Sequence, residues 1–146
     1  MKVQSVAVLT TGLLVRTISA QTALGSVTFG TPRCGTDLSH PVDGFNASDC
    51  TPAFNQLLDA HCSSGLCTIL STETSLSQTV RTCIADLFVS VTGTNGVTFN
   101  EAPVRNSIPG FVAQCTTEGD KARGFPELES TNGALLLTFL LSEGFE

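Results

Sequence analysis

The cysteines constrain the fold of this 146-residue chain more than any other feature. There are six of them, and all follow an N-terminal segment with the features of a secretion signal. They are Cys34, Cys50, Cys62, Cys67, Cys83 and Cys115. An even number of cysteines beyond such a signal is typical of a small extracellular domain held by disulfides. Three bridges would each add about 2 to 4 kcal/mol to stability, and the sequence leaves open all 15 ways of pairing six cysteines.

Residues 1–20 predict a signal peptide, because a charged start and an apolar stretch lead to a small residue, Ala20, just before Gln21. The apolar run is much shorter than the roughly 20 residues that span a membrane, so we expect secretion rather than a membrane anchor. Residues 21–146 then form one secreted domain, which we expect to be a monomer.

The mature chain is strongly acidic. Removal of Lys2 and Arg16 with the signal leaves five basic residues against thirteen acidic ones, a net charge of −8. So few basic residues cannot offset the repulsion from phosphate groups. The composition therefore argues against nucleic acid and anionic membranes as partners.

Two helices are predicted along the chain. Thr51 and Pro52 are suited to the cap and the first position of a helix that ends near His61 or Cys62. Apolar residues recur at helical spacing over residues 104–115, where Pro109 predicts a kink or a break.

The strand predictions centre on one hairpin. Residues 82–92, with Ile84 and Phe88 expected to pack inward, lead to a turn at residues 93–96 and a return strand at residues 97–99. Residues 66–71 and 134–141 also predict strands, and the second is expected to be central or well covered in the sheet. Residues 116–133 are polar and predict a loop.

The search for catalytic or metal-binding residues finds no convincing set. No Gly-x-Ser-x-Gly elbow is present, and the cysteines are better explained as disulfides. His40 lies in a loop, and His61 shares the apolar face of the first predicted helix. The spacing of Cys62 and Cys67 is longer than that of tight zinc-binding pairs. The sequence therefore predicts no catalytic residue, no metal and no cofactor.

A pair of carboxylates is the one catalytic alternative left open, since their separation is set by the fold and not by the sequence. Asp37, Asp43 and Asp49 cluster before the first helix, and Asp86 interrupts an apolar strand. Asp49 also suits the N-terminal end of a helix, and Asp86 fits a strand face turned to water. The chain has no Trp or Tyr to stack on sugar rings, which argues against a carbohydrate-active enzyme.

Two segments are candidates for surface function. Asn46-Ala47-Ser48 is the one glycosylation sequon in the chain, and it predicts a glycan on Asn46. The polar segment before the last strand contains Lys121, Arg123 and Phe125 between glycines. Exposed loops often carry binding residues, so this segment is the candidate partner-binding loop.

The order of these motifs resembles that of the fungal killer-toxin-like effectors, including the necrosis-associated extracellular effector proteins of plant-associated fungi. The resemblance rests on Cys34-Gly35, Ser48-Asp49-Cys50, Thr82-Cys83-Ile84, the segment 104–112 and Cys115. It extends to the predicted last strand.

The resemblance implies an α+β fold, a compact α/β sandwich. It would have an antiparallel sheet of about four to five strands with two or three helices on one face, linked by disulfides. It also implies a non-enzymatic effector or toxin that binds a host or competitor protein or another cell-surface target. Channel-blocking killer toxins are basic and this mature chain is acidic, so no functional residue carries over. The alternatives are a secreted carbohydrate-binding module or hydrolase inhibitor and, less favoured, a small carboxylate-pair hydrolase.

Overall fold

The computed structural model describes residues 21–35, 46–90, 96–117, 121–122 and 126–141. The predicted signal peptide lies outside these residues, as do the predicted turn at residues 93–95 and the C-terminal residues 142–146.

The described chain contains two α-helices and ten short strands. The helices are α1 (Cys50–His61) and α2 (Glu101–Cys115). The strands are β1 (Thr22–Gly25), β2 (Cys62–Ser63), β3 (Leu66–Ile69), β4 (Ser75–Val80), β5 (Cys83–Val89), β6 (Val97–Asn100), β7 (Thr116–Thr117), β8 (Lys121–Ala122), β9 (Glu127–Glu129) and β10 (Leu135–Leu141). The fold class is α+β, as predicted.

The strands form two four-stranded sheets and one small ribbon. The first sheet has the order β1-β6-β3-β2, the second has the order β4-β5-β10-β9, and β7 pairs with β8. All described pairs are antiparallel except β1 with β6, which is parallel. The structure therefore has two sheets and a ribbon, whereas the family resemblance implies a single antiparallel sheet.

Both helices pack on the same face of the second sheet. Helix α1 lies against β4 and β5, and α2 reaches β10 through Phe111. The rings of Phe54, Phe111 and Phe139 meet at the centre, with centroids 5.1 to 6.4 Å apart. All three side chains are fully buried, so this aromatic cluster joins α1, α2 and β10 in one core.

The six cysteines form three disulfides that tie distant parts of the chain to this core. Cys34 pairs with Cys115 at the end of α2, and Cys50 at the start of α1 pairs with Cys83 at the start of β5. Cys62 pairs with Cys67 across the short β2–β3 hairpin. Three disulfides in so small a chain are typical of extracellular proteins.

The predicted hairpin between residues 82–92 and 97–99 is wrong. Strand β5 pairs with β4 and β10, whereas β6 pairs with β1 and β3 in the other sheet. Val97 and Phe99 are strand residues of the first sheet with buried side chains, and this tertiary packing outweighs the local turn signal. The strand that forms a hairpin with β5 is β4. Its sequence is rich in serine and threonine and lacks a strong strand pattern.

The predicted helix boundaries also need correction. Helix α1 ends at His61 as expected, but its N-cap residue is Asp49 rather than Thr51, because a 3₁₀ turn at residues 47–49 leads directly into it. Helix α2 begins at Glu101 and continues through Pro109 to Cys115 without a break. Buried apolar residues before and after the proline hold both halves against the core.

The predicted loop at residues 116–133 is only partly irregular. Its first residues form the β7–β8 ribbon, and residues 127–129 form an edge strand beside β10. The predicted strand at residues 134–141 corresponds to β10, which lies between β5 and β9 and is therefore central in its sheet.

Candidate functional site

The predicted partner-binding loop lies mostly outside the described residues. Of its three named residues, Arg123 and Phe125 are not described, and only the backbone of Lys121 is, where it pairs with Thr117 in the β7–β8 ribbon. The loop therefore stays a prediction.

The sequon residue Asn46 is half-buried at the start of the 3₁₀ turn. Its side-chain oxygen accepts a hydrogen bond from the backbone N–H of Ser48 at 3.0 Å. The side-chain nitrogen that a glycan would modify takes no part in that bond. Glycosylation at Asn46 stays a prediction.

The carboxylates expected before the first helix do not gather into a described catalytic pair. Asp37 and Asp43 lie outside the described residues, as does His40. Asp49 is buried, and its carboxylate accepts hydrogen bonds from the hydroxyl and the backbone N–H of Thr82, at 2.9 and 3.4 Å. These bonds satisfy the charge and fasten the start of α1 to the β4–β5 turn, so Asp49 has a structural role.

A second polar cluster joins the two helices. Arg105 on α2 donates hydrogen bonds to Glu101 at 2.7 Å, to Asn55 at 2.9 Å and to Asp59 at 2.6 Å. Partial burial disfavours the charged guanidinium, but the hydrogen bonds that it donates to Glu101 and Asp59 outweigh this cost and raise the pKa of Arg105 above its ordinary value. Arg105 therefore stays charged and holds α1 against α2.

A third candidate surface is the face of the second sheet that points away from the helices. We call it the outer face. It is formed mainly by alternate residues of the two central strands, β5 and β10, while the intervening residues point into the core. These outer-face residues are Ile84, Asp86, Phe88, Leu136, Thr138 and Leu140.

Cross-strand pairing arranges the outer face in rows. Phe88 lies opposite Leu136, and Ile84 lies opposite Leu140, so an apolar pair occupies each end. Asp86 lies opposite Thr138 between them, and Glu127 on β9 is in register with Thr138 from the other side. The result is two apolar rows separated by a polar, acidic one.

The outer-face residues are not part of the protein core. Phe88 is 39 % exposed, and the other residues of the two central strands on this face are half-buried. None of them belongs to the cluster of buried side chains between the sheets and helices. The sequence-based expectation that Ile84 and Phe88 pack inward is therefore wrong, because Ala85 and Leu87 occupy the inner positions.

A face of this kind can bind a partner. Single exposed apolar residues are common, but several together on one sheet face are typical of an interaction surface. Two surface grooves among the described residues, of about 510 and 530 Å³, lie elsewhere and are lined in part by residues 27–33. Asp86 and Glu127 line neither of these two grooves.

Metal and membrane features are absent from the part of the chain that the structure describes. No group of three or more histidine, cysteine, aspartate or glutamate side chains is placed there to hold a metal ion. No helix among those residues is long and apolar enough to cross a membrane.

Comparisons of the chain with protein-family models, curated proteins and solved structures found no match.

The outer face was missed by sequence reasoning, although a signal was present. Ile84, Asp86 and Phe88 alternate along β5, so all three must lie on one face. A carboxylate in that set indicates that the face meets water, and the core must lie on the side of Ala85 and Leu87.

Proposed function

We propose that this protein is a secreted, disulfide-linked effector or toxin-like protein. It acts by binding a protein or another target on the surface of a host or competitor cell, and it carries out no chemical reaction. The observation that supports this most is the outer face, which presents apolar side chains on a sheet whose other face is packed against both helices.

The disulfides support the same proposal. The Cys50–Cys83 bridge connects α1 to the start of β5, one of the two central strands of the outer face. A binding surface on a rigid scaffold loses little conformational entropy when a partner binds. The motif order shared with killer-toxin-like effectors is consistent with this role.

Substitutions on the two sheets can test the proposal. We would label the purified protein and measure saturable binding to leaf protoplasts and to yeast cells, together with leaf necrosis and yeast growth inhibition. Phe88→Ser should weaken binding about tenfold or more, as expected for a large aromatic side chain that a partner buries.

Leu66→Ser is the matched control. Leu66 is 46 % exposed and lies on β3 in the other sheet, so the change also removes an exposed apolar side chain. Both variants should keep the melting temperature of the wild type. Equal binding by the Phe88 variant and the wild type would exclude the outer face as the binding surface.

A carbohydrate-binding module is the second candidate. Phe88 is an exposed aromatic ring with a hydroxyl neighbour, Ser75, directly across the β4–β5 pair and a carboxylate, Asp86, two residues away on the same face. Retention of the wild type, but not of the Phe88 variant, on chitin or on plant wall polysaccharide would favour this candidate over a protein target.

A further inference from the structure

We propose that the groove between α2 and residues 27–32 binds an extended segment of a partner protein, which pairs through its main chain with the edge of the second sheet. We call this groove, of about 510 Å³, the α2 groove. It shares no lining residue with the outer face, so this inference goes beyond the proposed function.

The two walls of the α2 groove are a sheet edge and a helix. Phe29 pairs with Ser130 just past the end of β9, so the segment around Phe29 extends the second sheet by one irregular edge strand. On the other side, α2 lines the groove from Pro103 to Gln114, a rise of about 16 Å. That length matches about five residues of extended chain.

The walls are fixed to each other and to the core. Cys34, which follows the edge segment, forms a disulfide with Cys115 at the end of α2. Three buried side chains, Val27, Phe111 and Leu128, line the groove from the side of the core. A groove whose walls are already in place needs little rearrangement when a ligand enters, which lowers the entropic cost of binding.

The main chain of Phe29 is oriented to pair with an added strand. The N–H of Gly30 donates to the carbonyl of Glu129 at 3.0 Å. On the other side of Phe29, the N–H of Thr131 donates to the carbonyl of Thr28 at 2.8 Å. Phe29 therefore occupies a non-hydrogen-bonded pair, and its own N–H and C=O point away from β9. Neither group has a backbone hydrogen bond to another described residue, so this edge can accept an extended partner segment.

The helix wall has a gap at its centre. Asn106, Gly110 and Gln114 line the groove one helical turn apart, so they share one face of α2. A Cβ atom added at Gly110 would meet no atom within 4 Å, so packing in the free protein does not require a glycine there. Glycine in a helix is less stable than alanine. A ligand that passes close to the helix accounts for Gly110, because the absence of a side chain lets it approach the backbone.

The two amide side chains beside this gap match the chemistry of a peptide group. Asn106 and Gln114 are exposed, and each amide carries hydrogen-bond donors and an acceptor. Each can therefore bond both the N–H and the C=O of an extended chain. They are about 12 Å apart along the helix axis, close to the span of about four extended residues.

The lining of the α2 groove is uncharged, although the chain has 13 acidic and seven basic residues. Burying a charged ligand group here would leave it without an opposite charge, which is costly. A peptide main chain is polar and neutral, so it avoids this cost. The partner segment that fits therefore has uncharged side chains, with apolar ones on the alternate residues that face α2.

A peptide library tests the proposal. We would select phage-displayed random peptides of about nine residues on the immobilised wild type, then measure binding of the enriched peptides by fluorescence anisotropy. Gly110→Leu fills the gap and should weaken binding about tenfold or more, while its melting temperature equals or exceeds that of the wild type because leucine favours the helix. Ala102→Leu is the matched control, since Ala102 is exposed on α2 but outside the groove, and it should bind like the wild type.

Two further measurements test the mode of binding. Methylation of single main-chain nitrogens in the peptide removes N–H donors one at a time, and the loss of binding should alternate along the peptide as it does along a paired strand. The double variant Asn106→Ala/Gln114→Ala should bind the peptides about tenfold more weakly, because it removes both amides. Phe88→Ser should bind them like the wild type.

Several results would overturn the proposal. They include a selection that enriches no peptide and equal binding by Gly110→Leu and the wild type. Methylation without an alternating effect would exclude main-chain pairing, and weaker binding by Phe88→Ser would place the peptide on the outer face. If chitin oligosaccharides bind in place of peptides and Gly110→Leu abolishes this, the occupant is a neutral sugar. These outcomes are independent of the cell-binding assays that test the proposed function.

Discussion

The disulfides should differ in their contribution to stability, because they close loops of very different length. The sequence separation is 81 residues for Cys34–Cys115 and 5 residues for Cys62–Cys67. If a disulfide acts by restricting the unfolded chain, its stabilising effect grows with the logarithm of loop length. This predicts about 4.5 kcal/mol for the long loop and about 2 kcal/mol for the short one.

The two bridges form a matched pair for this test. Each joins one buried cysteine to one half-buried cysteine, so replacing both by alanine removes similar packing in the two cases. The double variant Cys34→Ala/Cys115→Ala should therefore lose about 2.5 kcal/mol more of the free energy of unfolding than Cys62→Ala/Cys67→Ala.

Guanidinium unfolding of the three proteins, followed by circular dichroism, measures this difference. The slope of each transition must be compared as well, since loss of the long-range bridge leaves a more expanded unfolded chain and a steeper dependence on denaturant. Equal losses in the two variants, or a larger loss in the Cys62–Cys67 variant, would refute the chain-entropy reasoning.

Three further predictions follow from the core and its supports. Gly96→Ala should lower the free energy of unfolding by about 3 kcal/mol, because Gly96 has a φ of +81° and an added Cβ would overlap a backbone carbonyl. Its control, Gly110→Ala in α2, places the Cβ in open space and should raise the free energy of unfolding by about 0.5 to 1 kcal/mol. Asp49→Asn should cost about 1 to 2 kcal/mol, since it weakens the charged hydrogen bonds to Thr82. Phe139→Ala should cost about 3 to 5 kcal/mol, because it leaves a cavity in the aromatic cluster. Thermal and guanidinium unfolding measure all of these changes. The corresponding prediction would be contradicted by a stabilised Gly96 variant, by an unchanged Asp49 variant, or by a Phe139 variant that loses less than about 1 kcal/mol.

Local sequence signals predict the elements whose structure is decided locally. The end of α1, the helical periodicity of α2 and the apolar run of β10 all match the structure. The pairing of strands does not follow from such signals. A turn signal with two glycines and an asparagine favours a hairpin between β5 and β6, but Val97 and Phe99 gain more by burial as strand residues of the other sheet.

The candidate site was hidden for a related reason. Ile84 and Phe88 are apolar, so their position in the core is the simplest expectation, and only the shared alternation with Asp86 argues against it. The turn of the β4–β5 hairpin, where Arg81 has a φ of +48°, could not be predicted, because neither Arg81 nor Thr82 is a residue that such turns favour. Backbone strain of this kind becomes visible only in the folded chain.

The two faces of the second sheet have different roles, and this difference connects the fold to the proposed function. The inner face carries the contacts that fold the domain, since Leu87 and Phe139 are fully buried there against the helices. The outer face adds nothing to that core, yet it keeps Phe88 and Leu136 side by side where water reaches them. Exposed apolar side chains on a sheet favour aggregation and offer no stability in the free protein. Binding to a target gives these residues a physical role, because a partner that covers them removes their apolar surface from water without disturbing the core.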